Sequence, residues 1–479
     1  MSADTLDLQS RLAHILNRRP AVGLAVAIVR QGAPASFAAH GLADIPSRRP
    51  VTRDTVFRIA SITKTFTAVA VMQLWEQGLV DLDAPANDYL RAFRLVRAQD
   101  RWPQPTLRHL LTHTAGVPKL VHPAQALLSG WFGESVPLTA RVPDLGDFYG
   151  GALRVVAEPG TTFNYTDHSL AAVGQIIEDV TGQPLDRYLR EHIFAPLAMD
   201  DSDLLRSDRV SAHLATGYKL SRRGPRAVTD RNWVTSAASS IYSTPADMAR
   251  YVAALVGGGT GERGAVLKPE TLALMFRPHY QTDTRIPGVG LGFFRDEIGA
   301  QPVIEHQGIL PGFNAQLYLA PDKGVGVLGF TNGARNAVVW LAAEMSRLLG
   351  EVIGAPPDGI RTDVPHHAEL WAELCGRYTP IAQRSDTQVL GLVGAGAQVR
   401  VRHGQLVLRA LSPLPPVFRG FVLHPDDPDD PYVFRIDLSA HDLGTVKVVF
   451  SRHGDTTRVH LGGVVPLTAE KRTAETTPR

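Results

Sequence analysis

Ser61-Ile62-Thr63-Lys64 places a hydroxyl and an ammonium three residues apart, one turn along the same face of a helix. A serine hydroxyl is too weak an acid to attack an acyl carbon unaided, and a partly desolvated lysine can become neutral enough to take its proton. With 7 lysines and 21 serines in 479 residues, chance alone yields about 0.3 such pairs. The spacing therefore acquires meaning only from its surroundings. The stretch after Lys64 is apolar enough to be buried, where an idle ammonium would be costly. If Ser61 caps the helix, its backbone N–H also points toward the position where an oxyanion would develop.

Two further stretches could join this chemistry. In Glu158-Pro-Gly-Thr-Thr-Phe-Asn-Tyr-Thr-Asp167 a Pro-Gly turn delivers Tyr165, whose phenol could shuttle protons. In His306-Gln307-Gly308 a late apolar strand begins, and Gly308 would let a substrate backbone approach closely. Taken singly, Tyr165 reads as a half-buried packing residue and His306 as a satisfied structural histidine.

Several elements must position these groups. Val22 to Val29 and Ser36 to Ala39 read as an early hairpin. Ser61 to Gln77 reads as a helix, with Phe66, Val69, Ala70 and Leu74 at helical spacing, Ser61 as N-cap and Gly78 as the stop. Helices are expected at Leu107 to Thr112, Leu145 to Val156, His168 to Val180 and Leu185 to Phe194. Gln316 to Leu319 and Gly326 to Phe330 read as paired strands, and Ala337 to Leu349 as a closing helix. Sheet elements at both ends with helices between them predict an α/β fold whose sheet is assembled from both ends, with a helical subdomain inserted.

Residues 1–353 are expected to form this unit and 354–366, rich in Pro and Gly, a linker. Residues 367–479 are expected to form a small all-β, barrel-like domain. Its candidate strands are Gln388 to Val393, Gln398 to Arg402, Gln405 to Arg409, Tyr432 to Ile436, Val446 to Phe450 and Arg458 to Leu461. The tail after Leu467 is expected to be disordered. The acidic stretch from His424 to Pro431 lacks the glycine and distal Glu of an EF-hand loop and reads as a solvated turn.

Composition narrows the function. Apolar residues make up 44% and charged residues 20%, as in globular proteins. Lys+Arg 49 against Asp+Glu 47 leaves a net charge of +2, without the basic excess that nucleic-acid binding demands. The single cysteine, Cys375, excludes an internal disulfide. The stretch nearest to a membrane span, Phe66 to Leu74, is too short and is interrupted by Thr67 and Gln73. With two acids in the first seven residues and no basic-then-apolar start, a cytoplasmic location is expected.

Ser-x-x-Lys, then Tyr-x-Asp after a Pro-Gly turn, then His-x-Gly on a late strand, in that order, resembles the serine β-lactamase and penicillin-binding-protein superfamily. The likeness covers roughly residues 10 to 350 and is closest to the branch of class C β-lactamases and family VIII carboxylesterases. It rests also on Phe57-Arg-Ile-Ala-Ser-Ile-Thr-Lys64, Leu110-Leu-Thr-His-Thr-Ala-Gly-Val-Pro118 and His306-Gln-Gly-Ile-Leu-Pro-Gly-Phe313. The resemblance implies that Ser61 forms an acyl-enzyme, that Lys64 takes its proton, and that Tyr165 relays protons. It implies that His306 and Gly308 line a third wall, that the N–H groups of Ser61 and Ile309 form the oxyanion hole, and that neither metal nor organic cofactor is needed.

Two departures stand out against that pattern. Asp167 replaces a usual asparagine, adding a negative charge near Lys64, and favours a charged lysine or a cationic substrate. His306 replaces a lysine, removing the cation that would engage a β-lactam carboxylate. The expected function is a serine hydrolase acting on a small ester, amide or short-peptide substrate, with weak or no β-lactamase activity. A non-catalytic binding protein of the same fold and an acyltransferase using the same acyl-enzyme are the alternatives. The sequence leaves the oligomeric state and the natural substrate open.

Overall fold

The computed structural model describes residues 7–121, 134–356, 359–381, 396–411, 419–441, 443–463 and 467–472. Its first large element is an antiparallel seven-stranded sheet. It is built from β1 (Gly23–Arg30), β2 (Ala33–Asp44), β3 (Arg49–Pro50), β4 (Phe294–Ile298), β5 (Gln301–Leu310), β6 (Phe313–Ala320) and β7 (Val325–Thr331), in the order β4-β5-β6-β7-β1-β2-β3. The two ends of the segment meet where β1 pairs with β7, Leu24 opposite Thr331 and Arg30 opposite Val325.

β1 reads as an apolar run because both its faces are covered. Ala25, Ala27 and Val29 point into the larger core, whereas Leu24, Val26 and Ile28 point into a second core. That second core is closed by α1 (Leu8–Arg18) and, at the other end of the segment, by a long helix, Ala337–Ile353, through Trp340, Leu341 and Met345.

On the opposite face lies α2 (Thr63–Glu76), preceded by a short 3-10 turn over Ala60–Ile62. Every residue of α2 from Thr63 to Leu74 is buried, which is why it shows little amphipathic patterning. Its buried threonines are satisfied: Thr67 donates to the Ala237 carbonyl (2.6 Å), and Thr63 accepts from the Ile241 N–H (3.0 Å). Beside it run α3 (Asp167–Thr181) and α4 (Pro245–Val256).

Several expectations need correction. Ser61 is not the cap of α2 but sits inside the 3-10 turn, one residue before Ile62, and no side chain caps the helix. The helix expected at Leu145 to Val156 ends at Tyr149, because Gly150 and Gly151 turn into positive φ (58° and 78°). Ala152–Val155 then forms a strand parallel to Arg94–Arg97.

The C-terminal region is a nine-stranded antiparallel sheet, nearly closed into a barrel. Its strands are β8 (Gly376–Pro380), β9 (Ala397–Arg402), β10 (Gln405–Ala410), β11 (Phe421–Val422), β12 (His424–Pro425), β13 (Val433–Asp437), β14 (Thr445–His453), β15 (Thr456–Leu461) and β16 (Leu467–Lys471). Their order is β11-β10-β9-β8-β16-β15-β14-β13-β12, around a core that includes Tyr378, Leu406, Phe434 and Phe450. Residues Leu467–Lys471 are thus a strand rather than a disordered tail, because they fill the gap between β8 and β15 and supply pairing to both. Residues after 472, and the strand expected at 388–393, lie outside the described residues.

The acidic stretch after His424 keeps an exposed bend at Pro428 and Asp429, but the carboxylates flanking it are engaged. Asp426 pairs with Arg435 (2.9 Å), and Asp430 pairs with Arg285 (2.8 Å), which also donates to the Phe450 carbonyl (3.0 Å). Together with the Lys447–Glu297 pair (2.6 Å) and an apolar cluster of Ile286, Val433 and Val449, this bond fastens the C-terminal sheet to the preceding segment.

Candidate active site

The turn that carries Ser61 is unusual in its backbone. Ala60 has φ +51°, a left-handed conformation that costs a non-glycine residue about 1–2 kcal/mol. The surrounding chain holds it there. The Ile59 N–H donates to the Ile241 carbonyl (3.1 Å), and strand β5 lies directly under the turn. A Cβ on Gly308 would sit 2.1 Å from the Ile59 carbonyl oxygen and 3.3 Å from Ala60 Cβ. Gly308 is therefore required by the backbone of the Ser61 turn.

Lys64 is fully buried at the start of α2. Its ammonium has three N–H groups, and these lie within reach of Ser61 Oγ at 3.0 Å, Asp167 Oδ1 at 2.5 Å and the Ala238 carbonyl at 3.0 Å, with the Tyr165 phenol also beside it. Burial is the largest single influence and pushes the lysine pKa down, but the Asp167 and Tyr165 charges and hydrogen bonds together outweigh it, and the net shift is upward. Asp167 mirrors this, since burial raises its pKa, the Lys64 charge and hydrogen bond with the His168 and Lys119 charges lower it, and the net shift is downward. Lys64 is thus a saturated ammonium, not the neutral amine expected from desolvation alone. The expectation that Asp167 favours a charged lysine agrees with this geometry.

Tyr165 places its ring 4.8 Å from Lys64 Nζ. Burial raises the phenol pKa, and the nearby Lys64 charge, with hydrogen bonding from Lys64 and Ser61, only partly offsets this. The loop holding Tyr165 is tied on both sides to the segment after Leu111. The Asn164 N–H donates to the His113 carbonyl (2.8 Å), and Asn164 Nδ2 to the Val117 carbonyl (2.6 Å). The Thr166 N–H donates to His113 Nδ1 (3.3 Å), and the His113 ring packs 4.5 Å from that of Tyr165. His113 lies in the Leu110–Pro118 stretch without a sequence signal for this role, and the Ala238 carbonyl has no side-chain signal by which a sequence could reveal it.

His306 lies on the face of β5 that looks toward α2, its ring 5.3 Å from that of Phe294, which in turn lies 5.9 Å from the Tyr165 ring. It is buried, and burial, then the Lys64 charge, pulls its pKa down to about 3. It is a neutral imidazole. Four residues on, Leu310 and Phe313 face each other across a two-residue turn, so they form the hydrogen-bonded pair and Ile309 does not. The Ile309 N–H is left pointing to the edge of β5, where pairing with β4 has already stopped at Phe294–Glu305. Ser61, Lys64, Tyr165, Asp167 and His306 are thus brought into one cluster, with Gly308 beneath the Ser61 turn.

Among the described residues no group of three or more His, Cys, Asp or Glu side chains could hold a metal ion, and no helix is long and apolar enough to cross a membrane.

The Beta-lactamase family profile matches residues 8–350. The chain belongs to the Beta-lactamase family. Among relatives of this Beta-lactamase family member, "Esterase EstB" of Burkholderia gladioli is 28% identical over 373 residues, covering 70% of this chain and 92% of the esterase. A "D-aminopeptidase" of Cereibacter sphaeroides is 26% identical over 368 residues, covering 75% of this chain and 66% of the peptidase. A solved structure, the octameric penicillin-binding protein homologue from Pyrococcus abyssi, superposes with a TM-score of 0.60 at 22% identity. It covers 96% of this chain and 98% of its own, so the likeness of fold extends over the C-terminal sheet. The protein is a serine hydrolase of the β-lactamase and penicillin-binding-protein fold.

Proposed function

We propose that the protein cleaves small esters and the amide bonds of amino-acid derivatives or short peptides through an acyl-enzyme on Ser61, with Lys64, Tyr165 and Asp167 handling the protons. The observation that carries this reading is the position of Lys64 Nζ, shared between Ser61 Oγ and Asp167 Oδ1.

In the resting site Lys64 donates to Ser61 and cannot accept from it. Acylation waits until Lys64 gives up a proton, either to Asp167 or, at alkaline pH, to solvent. The freed amine takes the Ser61 proton as Oγ bonds to the carbonyl carbon. The carbonyl electron pair moves to oxygen, where the N–H groups of Ser61 and Ile309 receive it. Collapse expels an alcohol or amine, which takes its proton from the Tyr165–Lys64 pair. Water then attacks the ester of Ser61 by the same steps in reverse.

The electrostatics favour a neutral or cationic substrate. Asp167 compensates the Lys64 charge and His306 is neutral, so no uncompensated cation among these groups awaits a carboxylate such as that of a penicillin. Asp167 keeps 30% of its side chain exposed and can accept from a substrate ammonium. Relatives named as an esterase and as a D-aminopeptidase support both arms of this substrate class.

A panel of p-nitrophenyl esters, D- and L-aminoacyl amides with free and acetylated amines, and a chromogenic cephalosporin tests the reading. Ester or amide turnover that exceeds cephalosporin turnover by roughly a hundredfold or more in kcat/KM is the expected result. Preferential cephalosporin turnover would overturn it.

A further inference from the structure

A cavity of about 600 Å³ lies where the loop before Tyr165 faces the C-terminal sheet. One wall is Gly160–Phe163 and the chain around Tyr280, whose rings stack 6.4 Å apart (Phe163 on Tyr280); the other is made by residues of β15 and β16 and by Ile381. Its volume is that of a small-molecule site.

The donor capacity inside it centres on one side chain. Arg458 and His460 alternate onto the same side of β15. His460 is engaged by Ser451 Oγ (2.8 Å) and Thr468 Oγ1 (3.1 Å), and burial pulls its pKa down to about 4, so it is neutral. His279, also on the wall, is likewise shifted downward by burial. Arg458 remains, and Glu470 on the neighbouring strand takes its Nε edge at 2.7 Å and compensates its charge, so what Arg458 offers an occupant is donor geometry rather than net charge. Among the described residues no protein group takes the two terminal nitrogens of that guanidinium. Thr162 and Thr282, both on the wall, each hold a buried hydroxyl without a protein partner, a capacity that a side-chain rotation can turn inward. A planar fork of donors beside the apolar rings of Phe163 and Tyr280 fits a carboxylate on a short carbon chain.

We propose that this cavity is a binding site for a small carboxylate carrying a short alkyl or peptide body, anchored by the terminal nitrogens of Arg458. The site is separate from the Ser61 cluster but shares a segment with it. An occupant touching Gly160–Phe163 presses on the same loop that Asn164 and Thr166 fasten to His113 and that carries Tyr165. The carboxylate could arrive as the tail of a substrate or as a free effector, and the two are separable.

The test is calorimetric titration of the full chain with sodium glutarate, and with dimethyl glutarate as the uncharged control, in a Ser61→Ala background that cannot turn the diester over. Saturable glutarate binding is expected, weakened roughly tenfold or more by Arg458→Gln and partly restored by Arg458→Lys, with no binding of the diester. Hydrogen exchange should slow in the Gly160–Phe163 loop and in the strands carrying Arg458 and Thr468. If Arg458→Gln does not fold, Thr282→Val gives the same reading, with a severalfold loss. The absence of saturable binding by succinate, glutarate and adipate at concentrations on the order of 10 mM overturns the proposal. So does equal affinity with and without the arginine, or protection confined to the Ser61 cluster. A changed kcat on a neutral ester when glutarate is added identifies an effector, whereas an Arg458-dependent lowering of KM for a carboxylate-tailed ester identifies a substrate tail. Because binding is read in a protein without its nucleophile, failure here leaves the hydrolase reading untouched.

Discussion

Asp167 Oδ1 stands 2.5 Å from Lys64 Nζ, closer than the serine that Lys64 also contacts. The carboxylate reaches the site from the first residue of α3, and the lysine from the second residue of α2. Two buried helix starts are thus joined by one ion pair, whose proton inventory governs when Ser61 can react.

Replacing Asp167 with asparagine removes the charge that does most to hold the Lys64 pKa up, leaving burial, which pushes it down, against the smaller effect of Tyr165. The acidic limb of the kcat/KM profile, set by loss of the Lys64 proton, should then move to lower pH by at least one unit. Activity at neutral pH on neutral esters should rise or hold, whereas any preference for substrates with a free ammonium should fall. Matching pH profiles of wild type and Asp167→Asn would show that the pair does not control the base.

Gly308→Ala puts a methyl group against the Ile59 carbonyl, 2.1 Å away before relaxation. The turn carrying Ala60 and Ser61 must shift. Ester turnover should drop by roughly tenfold to a hundredfold in kcat, with a smaller relative loss in substrate binding. Steady-state kinetics alongside thermal unfolding will separate this from plain destabilisation.

His113 positions the Tyr165 loop through its ring, its Nδ1 and its backbone carbonyl. His113→Asn keeps an acceptor near Thr166 but removes the ring under Tyr165. A fall in kcat with an altered basic limb of the pH profile is expected, larger than the change in KM. An unaltered profile would reduce His113 to a packing residue.

On the far face of the sheet, Glu305 is buried, accepts from Gln316 Nε2 at 2.7 Å, and leaves Oε1 unpartnered. Burial raises its pKa from 4.5 to about 8. The native state therefore keeps a proton that the unfolded chain loses above pH 4.5, so stability should fall as pH rises from 4.5 through about 8. The loss is bounded at about 5 kcal/mol. Glu305→Gln should flatten this dependence and unfold at higher temperature than wild type at pH 8, as differential scanning calorimetry across pH will show.

Much of this site is legible in the chain. Ser61, Lys64 and Tyr165 are visible because their types and order carry chemistry, and α2 because sixteen residues pass without Gly or Pro from Ile62 to Gln77. The state of Lys64 is less so. Desolvation and ion pairing act on it with opposite sign, and only the Lys64–Asp167 distance decides between them. Gly308 is ambiguous for a related reason, since a glycine announces a close approach without saying which backbone approaches. The Ala238 carbonyl has no side-chain signature. At the C-terminal end, Leu467–Lys471 looks like a tail because its pairing partners, β8 and β15, come from stretches whose register a local pattern does not fix.

The central claim is that Ser61 becomes acylated. Intact mass after incubation with a fluorophosphonate measures this directly. The wild type should gain one phosphonyl group, mapped by peptide analysis to Ser61, and folded Ser61→Ala should gain none. An unlabelled but folded wild type, or a label that persists in Ser61→Ala, would contradict the account.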